Sequence, residues 1–222
     1  MGSFSKVTKG LFIVLEGVEG AGKSTQARLL SRWMDELSIP HTLAREPGGT
    51  PVGEAIRAIV LTKGEMTMPP ETELFLILGA RAAFVRDVVR PALDQGQVVL
   101  ADRFDLSTFA YQGFGRGLEL EEVRRANALA TGGLKADLAL VLDLPVEVGL
   151  ERKGGAASGD RIEREGEAYL SRVREGYRQL ATEDPLARIV EAAGTPEELQ
   201  GTLRRVLGET FPGTFPSGVV EY

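Results

Sequence analysis

Apolar residues fall along this chain in two alternating rhythms. Short unbroken runs, such as Leu11-Phe12-Ile13-Val14-Leu15, Val98-Val99-Leu100-Ala101 and Leu138-Ala139-Leu140-Val141-Leu142, have no polar face. Strands covered on both sides look like this. Elsewhere apolar residues return every three or four positions, as at Ala27, Leu30, Met34 and Leu37, or at Ile162, Tyr169, Val173, Tyr177 and Leu180. That is the spacing of one helical face. Together the rhythms predict strands at 11–16, 41–45, 97–102, 137–143 and 187–191. They predict helices at 23–38, 51–61, 71–94, 119–131, 146–153, 162–183 and 195–208. Strand and helix alternate, so the expected class is α/β, a five-stranded parallel sheet wrapped by helices with ligands at the carboxyl ends of the strands.

Two stretches carry neither rhythm. Residues 62–70 are irregular, and 153–159 read Lys153-Gly154-Gly155-Ala156-Ala157-Ser158-Gly159. The second is small and flexible between Arg152 and Arg161, and predicts a short mobile lid over about 152–166. Residues 1–210 read as a single domain. Residues 211–222, rich in proline, glycine and aromatics, read as a loosely held tail.

Composition narrows the classes. The chain has 222 residues, 43% of them hydrophobic, enough for one buried core. Its 26 basic and 32 acidic residues give a net charge of −6. That argues against a nucleic-acid partner but leaves room for a local pocket for a small anion. Cysteine is absent, which excludes disulfides, thiolate metal sites and thiol catalysis. The single histidine, His41, stands at a strand entry and reads as structural. No apolar run approaches membrane-spanning length and the amino terminus lacks a signal-peptide core, so a cytoplasmic protein without a membrane partner is expected.

The chemistry concentrates in a few segments. Gly17-Val18-Glu19-Gly20-Ala21-Gly22-Lys23-Ser24, followed by Thr25, is a G-x-x-x-x-G-K-[ST] phosphate loop between a predicted strand and a predicted helix. Its glycines let backbone N–H groups turn toward phosphate oxygens, and the helix start adds positive potential. Lys23 can reach the β- and γ-phosphates, and the Ser24 hydroxyl can join the shell of a Mg²⁺ ion. Asp102 and Arg103 end the third strand beside that loop, the first suited to the same ion and the second to an anionic oxygen. Arg45-Glu46-Pro47-Gly48-Gly49-Thr50 ends the second strand, with Thr50 placed to cap a helix and Arg57 about two turns on. A cis bond at Glu46–Pro47 is a minor expectation. Ser107, Thr108, Tyr111 and Gln112 offer hydroxyls, an aromatic face and an amide, a mixture suited to a planar base. Arg81 stands in a mostly apolar helix and needs an anionic or carbonyl partner, so it is expected to face a ligand. Its neighbours Phe75 and Phe84 read as core. Arginines flanking the lid could neutralise charge on a transferred phosphoryl group once closure excludes water.

In this order, the segments Glu16–Ser24, Arg45–Thr50, Asp102–Thr108, Ala110–Gly113 and Asp160–Glu163 make the chain resemble the thymidylate kinases of bacterial type, from about residue 10 to 207. The resemblance implies the three-layer fold of the P-loop nucleotide kinases and transfer of the ATP γ-phosphoryl group to dTMP, with Mg²⁺ as cofactor, in a homodimer. It implies that Glu19 faces the sugar 3′-hydroxyl, that Arg57 and Arg103 hold the dTMP phosphate, and that Arg81 hydrogen-bonds thymine. Thr108 and Tyr111 would line the base and sugar, with Glu46, Pro47, Ser107 and Gln112 around them, while Lys23, Ser24 and Asp102 serve ATP and the ion. The loop has no arginine of its own, so the catalytic arginine should come from the lid, from Arg152 or Arg161. One helical turn before Arg81, where the family carries a stacking phenylalanine, this chain has Ile77. Stacking there becomes aliphatic packing, unless Phe75 or another ring moves in. A sibling kinase acting on another nucleotide, or an ATP-dependent regulator, is the alternative. The chain lacks the guanine-reading Asn-Lys-x-Asp motif of nucleotide switches.

Overall fold

The computed structural model describes residues 9–62, 67–154 and 161–216. Five strands form one parallel sheet: β1 (Leu11–Glu16), β2 (His41–Arg45), β3 (Val98–Asp102), β4 (Leu138–Asp143) and β5 (Ala187–Glu191), in the order β2-β3-β1-β4-β5. The unbroken apolar runs explain the arrangement. Phe12 to Leu15, Val98 to Ala101 and Leu138 to Leu142 are all buried, because helices cover both faces of the three central strands. β1 lies between β3 and β4, with Leu15 in register with Asp102 on one side and with Leu140 on the other. His41 is structural, as expected: its ring bridges the Ser31 hydroxyl (2.7 Å) and the Ile39 carbonyl (3.0 Å).

Nine α-helical segments are described: α1 (Lys23–Glu36), α2 (Pro51–Val60), α3 (Pro70–Phe84), α4 (Arg90–Asp94), α5 (Asp105–Thr108), α6 (Leu120–Thr131), α7 (Val146–Arg152), α8 (Glu167–Glu183) and α9 (Pro196–Thr210). The predicted helix 71–94 is α3 and α4 joined through a π-helical turn at Val85–Val89. The predicted helix 162–183 is broken: a short 3₁₀ turn precedes Gly166, whose φ of 87° interrupts the rhythm before α8. One element was not expected as a helix of its own. α5 runs into a π-helical stretch, Phe109–Gly115, which packs beneath α8. Wide turns of this kind are rare and often found at functional sites.

Two expectations need correction. The tail is held at least to residue 216: Phe215 is fully buried and stacks on Trp33, ring centroids 5.5 Å apart. Phe75 is not core but 66% exposed, whereas Phe84 is buried as expected. Residues 155–160, the middle of the predicted lid, lie outside the described residues, as do 1–8, 63–66 and 217–222.

Candidate active site

The site lies at the carboxyl ends of β1 and β3, in a cavity of about 650 Å³. The phosphate loop leaves β1 and enters α1 through Gly22, whose φ is 92° and which supplies no side-chain cap. The first N–H groups of α1 are therefore left for an anion. The loop rests backbone to backbone on α7. A Cβ on Gly20 would stand 2.3 Å from the Gly149 carbonyl, and one on Gly149 would stand 2.4 Å from the Glu19 carbonyl. Glycine is required on both sides of that contact.

The Lys23 ammonium is buried and donates to the carbonyls of Gly17 (3.0 Å) and Val18 (2.8 Å). Burial, with the neighbouring Arg103 cation, lowers its pKa from 10.5 to about 8. The Ser24 hydroxyl donates to the Asp102 carboxylate across 2.5 Å, so the loop and the end of β3 meet as the sequence suggests.

Arg103 occupies a left-handed backbone conformation, φ 78°, uncommon for a side chain of its size. Its guanidinium donates to the Glu19 carboxylate (2.7 Å), the Gly17 carbonyl (3.0 Å) and the hydroxyls of Tyr177, Ser107 and Tyr111. Tyr111 also donates to Glu19 at 2.6 Å. The Arg57 guanidinium donates to the Pro47 carbonyl (3.0 Å), and Thr50 caps α2 by accepting from Gly53 N–H. Burial, followed by the Arg45 cation, lowers the Arg57 pKa. The Glu46–Pro47 bond is cis.

Arg81 departs in part from expectation. Its guanidinium is 1% exposed and already engaged: Nε with both Glu46 oxygens (2.9 and 3.0 Å), Nη1 with Thr108 (2.7 Å) and Asn127 (2.8 Å), and Nη2 with the Phe104 carbonyl (2.8 Å). It lines the cavity with a single N–H to spare. Ile77, Ser107, Thr108, Tyr111 and Gln112 line the same cavity, with Glu46 and Pro47. Phe75, on the far side of α3 and solvent-exposed, does not replace the missing ring.

The two lid arginines separate. Arg152 and Lys153 line the cavity, Arg152 donating to the carbonyls of Gly20 (3.4 Å), Ala192 (3.2 Å) and Ala193 (3.3 Å). Arg161 does not line it. Its guanidinium is held by the Val60 carbonyl and by Glu73. The loop after β5, with Ala192, Gly194, Thr195 and Pro196, closes the end of the cavity nearest Arg152. Sequence reasoning missed this loop, which has no motif.

It also missed two fully buried carboxylates. Glu16 accepts from Phe104 N–H (2.8 Å), Ser107 N–H (3.3 Å), the Ser107 hydroxyl (2.5 Å) and the Tyr177 hydroxyl (3.0 Å). Glu73 is the second. A carboxylate closing an apolar strand, or standing immediately before the apolar run of α3 that begins at Leu74, was the available signal.

One cavity thus joins a phosphate loop and a carboxylate–hydroxyl pair to a second group of cations beside the polar side chains of Ser107, Thr108 and Gln112. The thymidylate kinase family model matches residues 15–202. The chain belongs to the thymidylate kinase family. A thymidylate kinase of Symbiobacterium thermophilum is 45% identical over 206 residues, covering 92% of this chain and 96% of the relative. One from Desulforudis audaxviator is 50% identical over 177 residues, covering 79% and 80%. The crystal structure of thymidylate kinase from Ehrlichia chaffeensis superposes with a TM-score of 0.74 at 24% identity, covering 90% of this chain and 99% of that one. This likeness supports the fold; the thymidylate kinase assignment rests on the family model and the closer sequences.

Proposed function

We propose how this cavity performs the family's reaction, transfer of the γ-phosphoryl group of ATP to dTMP to give dTDP and ADP, a step toward dTTP. The ATP phosphates lie in the Gly17–Thr25 loop, on its N–H groups and Lys23. The donor's base extends toward Arg152 and the Ala192–Pro196 loop. dTMP enters from the opposite end, its phosphate between Arg57 and Arg103, its sugar near Glu19 and Tyr111, and its base among Ile77, Arg81, Thr108 and Gln112. The convergence of Arg57 and Arg103 on one side of a phosphate loop carries this reading.

No group of three or more acidic or histidine side chains that could hold an ion by itself occurs among the described residues. The touching Ser24 hydroxyl and Asp102 carboxylate fit Mg²⁺, a hard ion that keeps several waters and takes the rest of its shell from phosphates. When bound, that ion neutralises charge on the β- and γ-phosphates. The protein's own part is positioning and electrostatics. Lys23 and the loop N–H groups hold the donor, and Arg103 and Arg57 hold the acceptor in line. Arg152, already beside the loop at Gly20, supplies lid charge, while Arg161 anchors the lid to α3. No general base is needed, because a phosphate monoester oxygen is anionic near neutral pH.

The assembly we propose is a homodimer through α2, α3 and α6, which expose Val52, Ile59, Phe75 and, at 86%, Leu129. A cytoplasmic location accords with the absence of any helix, among the described residues, long and apolar enough to cross a membrane.

Arg57→Ala tests the acceptor site. It should raise the dTMP KM by roughly tenfold or more and leave the ATP KM nearly unchanged, because one bidentate anion contact is lost on one side only. Equal losses for both substrates would overturn the assignment.

A further inference from the structure

Glu73 is 0% exposed, eight residues before Arg81 on the same side of α3. It accepts from Gln112 Nε2 (2.8 Å), from Arg116 Nε (3.2 Å) and Nη2 (3.0 Å), and from Arg161. Burial alone would raise its pKa. The hydrogen bonds from Arg116, Gln112 and Arg161 outweigh that, and hold the carboxyl below its ordinary value.

An ionised carboxylate only accepts. The group that Gln112 turns to Glu73 must therefore be its NH₂, which fixes an amide orientation that is otherwise ambiguous. The Gln112 Oε1 is turned the other way and has no hydrogen-bond partner among the described residues, in a side chain that lines the cavity. Thr108, one helical turn earlier, is fixed in the opposite sense. Arg81 Nη1 donates to its Oγ1, and a guanidinium cannot accept, so the Thr108 hydroxyl hydrogen is left for a ligand.

We propose that Glu73 is a positioning residue for base selection. By holding the Gln112 nitrogen it presents an acceptor beside the Thr108 donor, a pair that matches the carbonyl and N–H of a thymine or uracil imide. Cytosine offers the reverse order, an amino donor beside a ring-nitrogen acceptor, and meets like with like at both positions. Adenine does the same. Guanine has the matching order but is a larger ring system. A site whose buried polar groups are left unpaired rejects the wrong ligand more strongly than an apolar pocket does. Selection against cytosine is thus set by a residue that does not touch the base. The inference rests on the placement of the acceptor's base at Thr108 and Gln112.

The test is the ratio of kcat/KM for dTMP to that for dCMP in Glu73→Gln, Gln112→Met and the double variant. Glu73→Gln can present either end of its amide, so Gln112 is released and the ratio should fall by about tenfold or more. In the Gln112→Met background the same substitution should leave the ratio unchanged. A ratio unaffected by Glu73→Gln, or a fall that persists without Gln112, overturns the inference. Unchanged dTMP kinetics in Gln112→Met alone would instead overturn the placement of the base. Should Glu73→Gln not fold, a structure of the wild-type protein with dTMP decides. N3 of the base within hydrogen-bond distance of the Gln112 carbonyl, with the amide nitrogen still on Glu73, supports the proposal. A base more than about 4 Å from Gln112, beyond hydrogen-bond reach, contradicts it.

Discussion

Lys23 shows how one residue couples binding to the proton. Its pKa of about 8 reflects burial first and the Arg103 cation second. Phosphates placed beside it favour the ammonium form, so ATP binding should raise the pKa again. Above pH 8 the free protein has partly lost this proton, and binding must take one up. Below about pH 7 both forms carry it and no uptake occurs at Lys23. Calorimetry of ATP binding at pH 8.5, in buffers of different ionisation enthalpy, should therefore show proton uptake that disappears in Lys23→Met. Uptake unaffected by that substitution would assign the proton elsewhere. Glu16 is the structural counterpart. It ties the end of β1 to α5 and α8 by four accepted hydrogen bonds, none exposed to water. Glu16→Ala strands those donors, and urea denaturation should show a loss of about 2–4 kcal/mol.

At the scale of elements, the contact between the phosphate loop and α7 makes an unusual demand. Replacing a helical glycine by alanine in an exposed position normally stabilises by about 1 kcal/mol. At Gly149 the added methyl would press on the Glu19 carbonyl, 2.4 Å away, and move the loop. Gly149→Ala should raise the ATP KM several-fold although the residue lies outside every phosphate-binding motif. An unchanged ATP KM would mean that the loop yields without cost. The three central strands and the phosphate loop were legible in the sequence because burial on both faces leaves unbroken apolar runs, and because the loop's glycines are demanded by local geometry. The π-helical stretch Phe109–Gly115 was not legible. Its apolar spacing does not distinguish a π-helical turn from an α-helical one, and the stretch packs against α8. Arg81 was recognised as a charge needing partners, but those partners, Glu46, Phe104, Thr108 and Asn127, come from three other places in the chain that periodicity cannot bring together. Phe215 reads as a tail aromatic until α1 and α9 bring Trp33 to meet it.

For the whole molecule, two features join regions distant in sequence. The first is the apolar face of α2, α3 and α6. Phe75 at 66% and Leu129 at 86% are the most exposed large hydrophobic side chains among the described residues, and the proposed dimer would cover them. Phe75→Asp, on the outer face of α3, should convert the proposed dimer to a monomer in sedimentation velocity. A wild-type protein that sediments as a monomer at micromolar concentration would remove the dimer from the account. The second is the cavity itself, which brings the ends of β1, β2, β3 and β5 and the helix α3 into one reaction space. Its proposed donor side is written in a motif and its proposed acceptor side in scattered arginines.

The most direct test of the account is acceptor-dependent ADP release, measured by a coupled assay with ATP and Mg²⁺ against dTMP, dUMP, dCMP, dGMP, AMP and thymidine. The account predicts turnover with dTMP well above every other acceptor, with dUMP next because it keeps the imide edge and lacks only a methyl group, worth about 1–3 kcal/mol. Preference for dCMP or a purine nucleotide, or ATP hydrolysis indifferent to the acceptor, would contradict it.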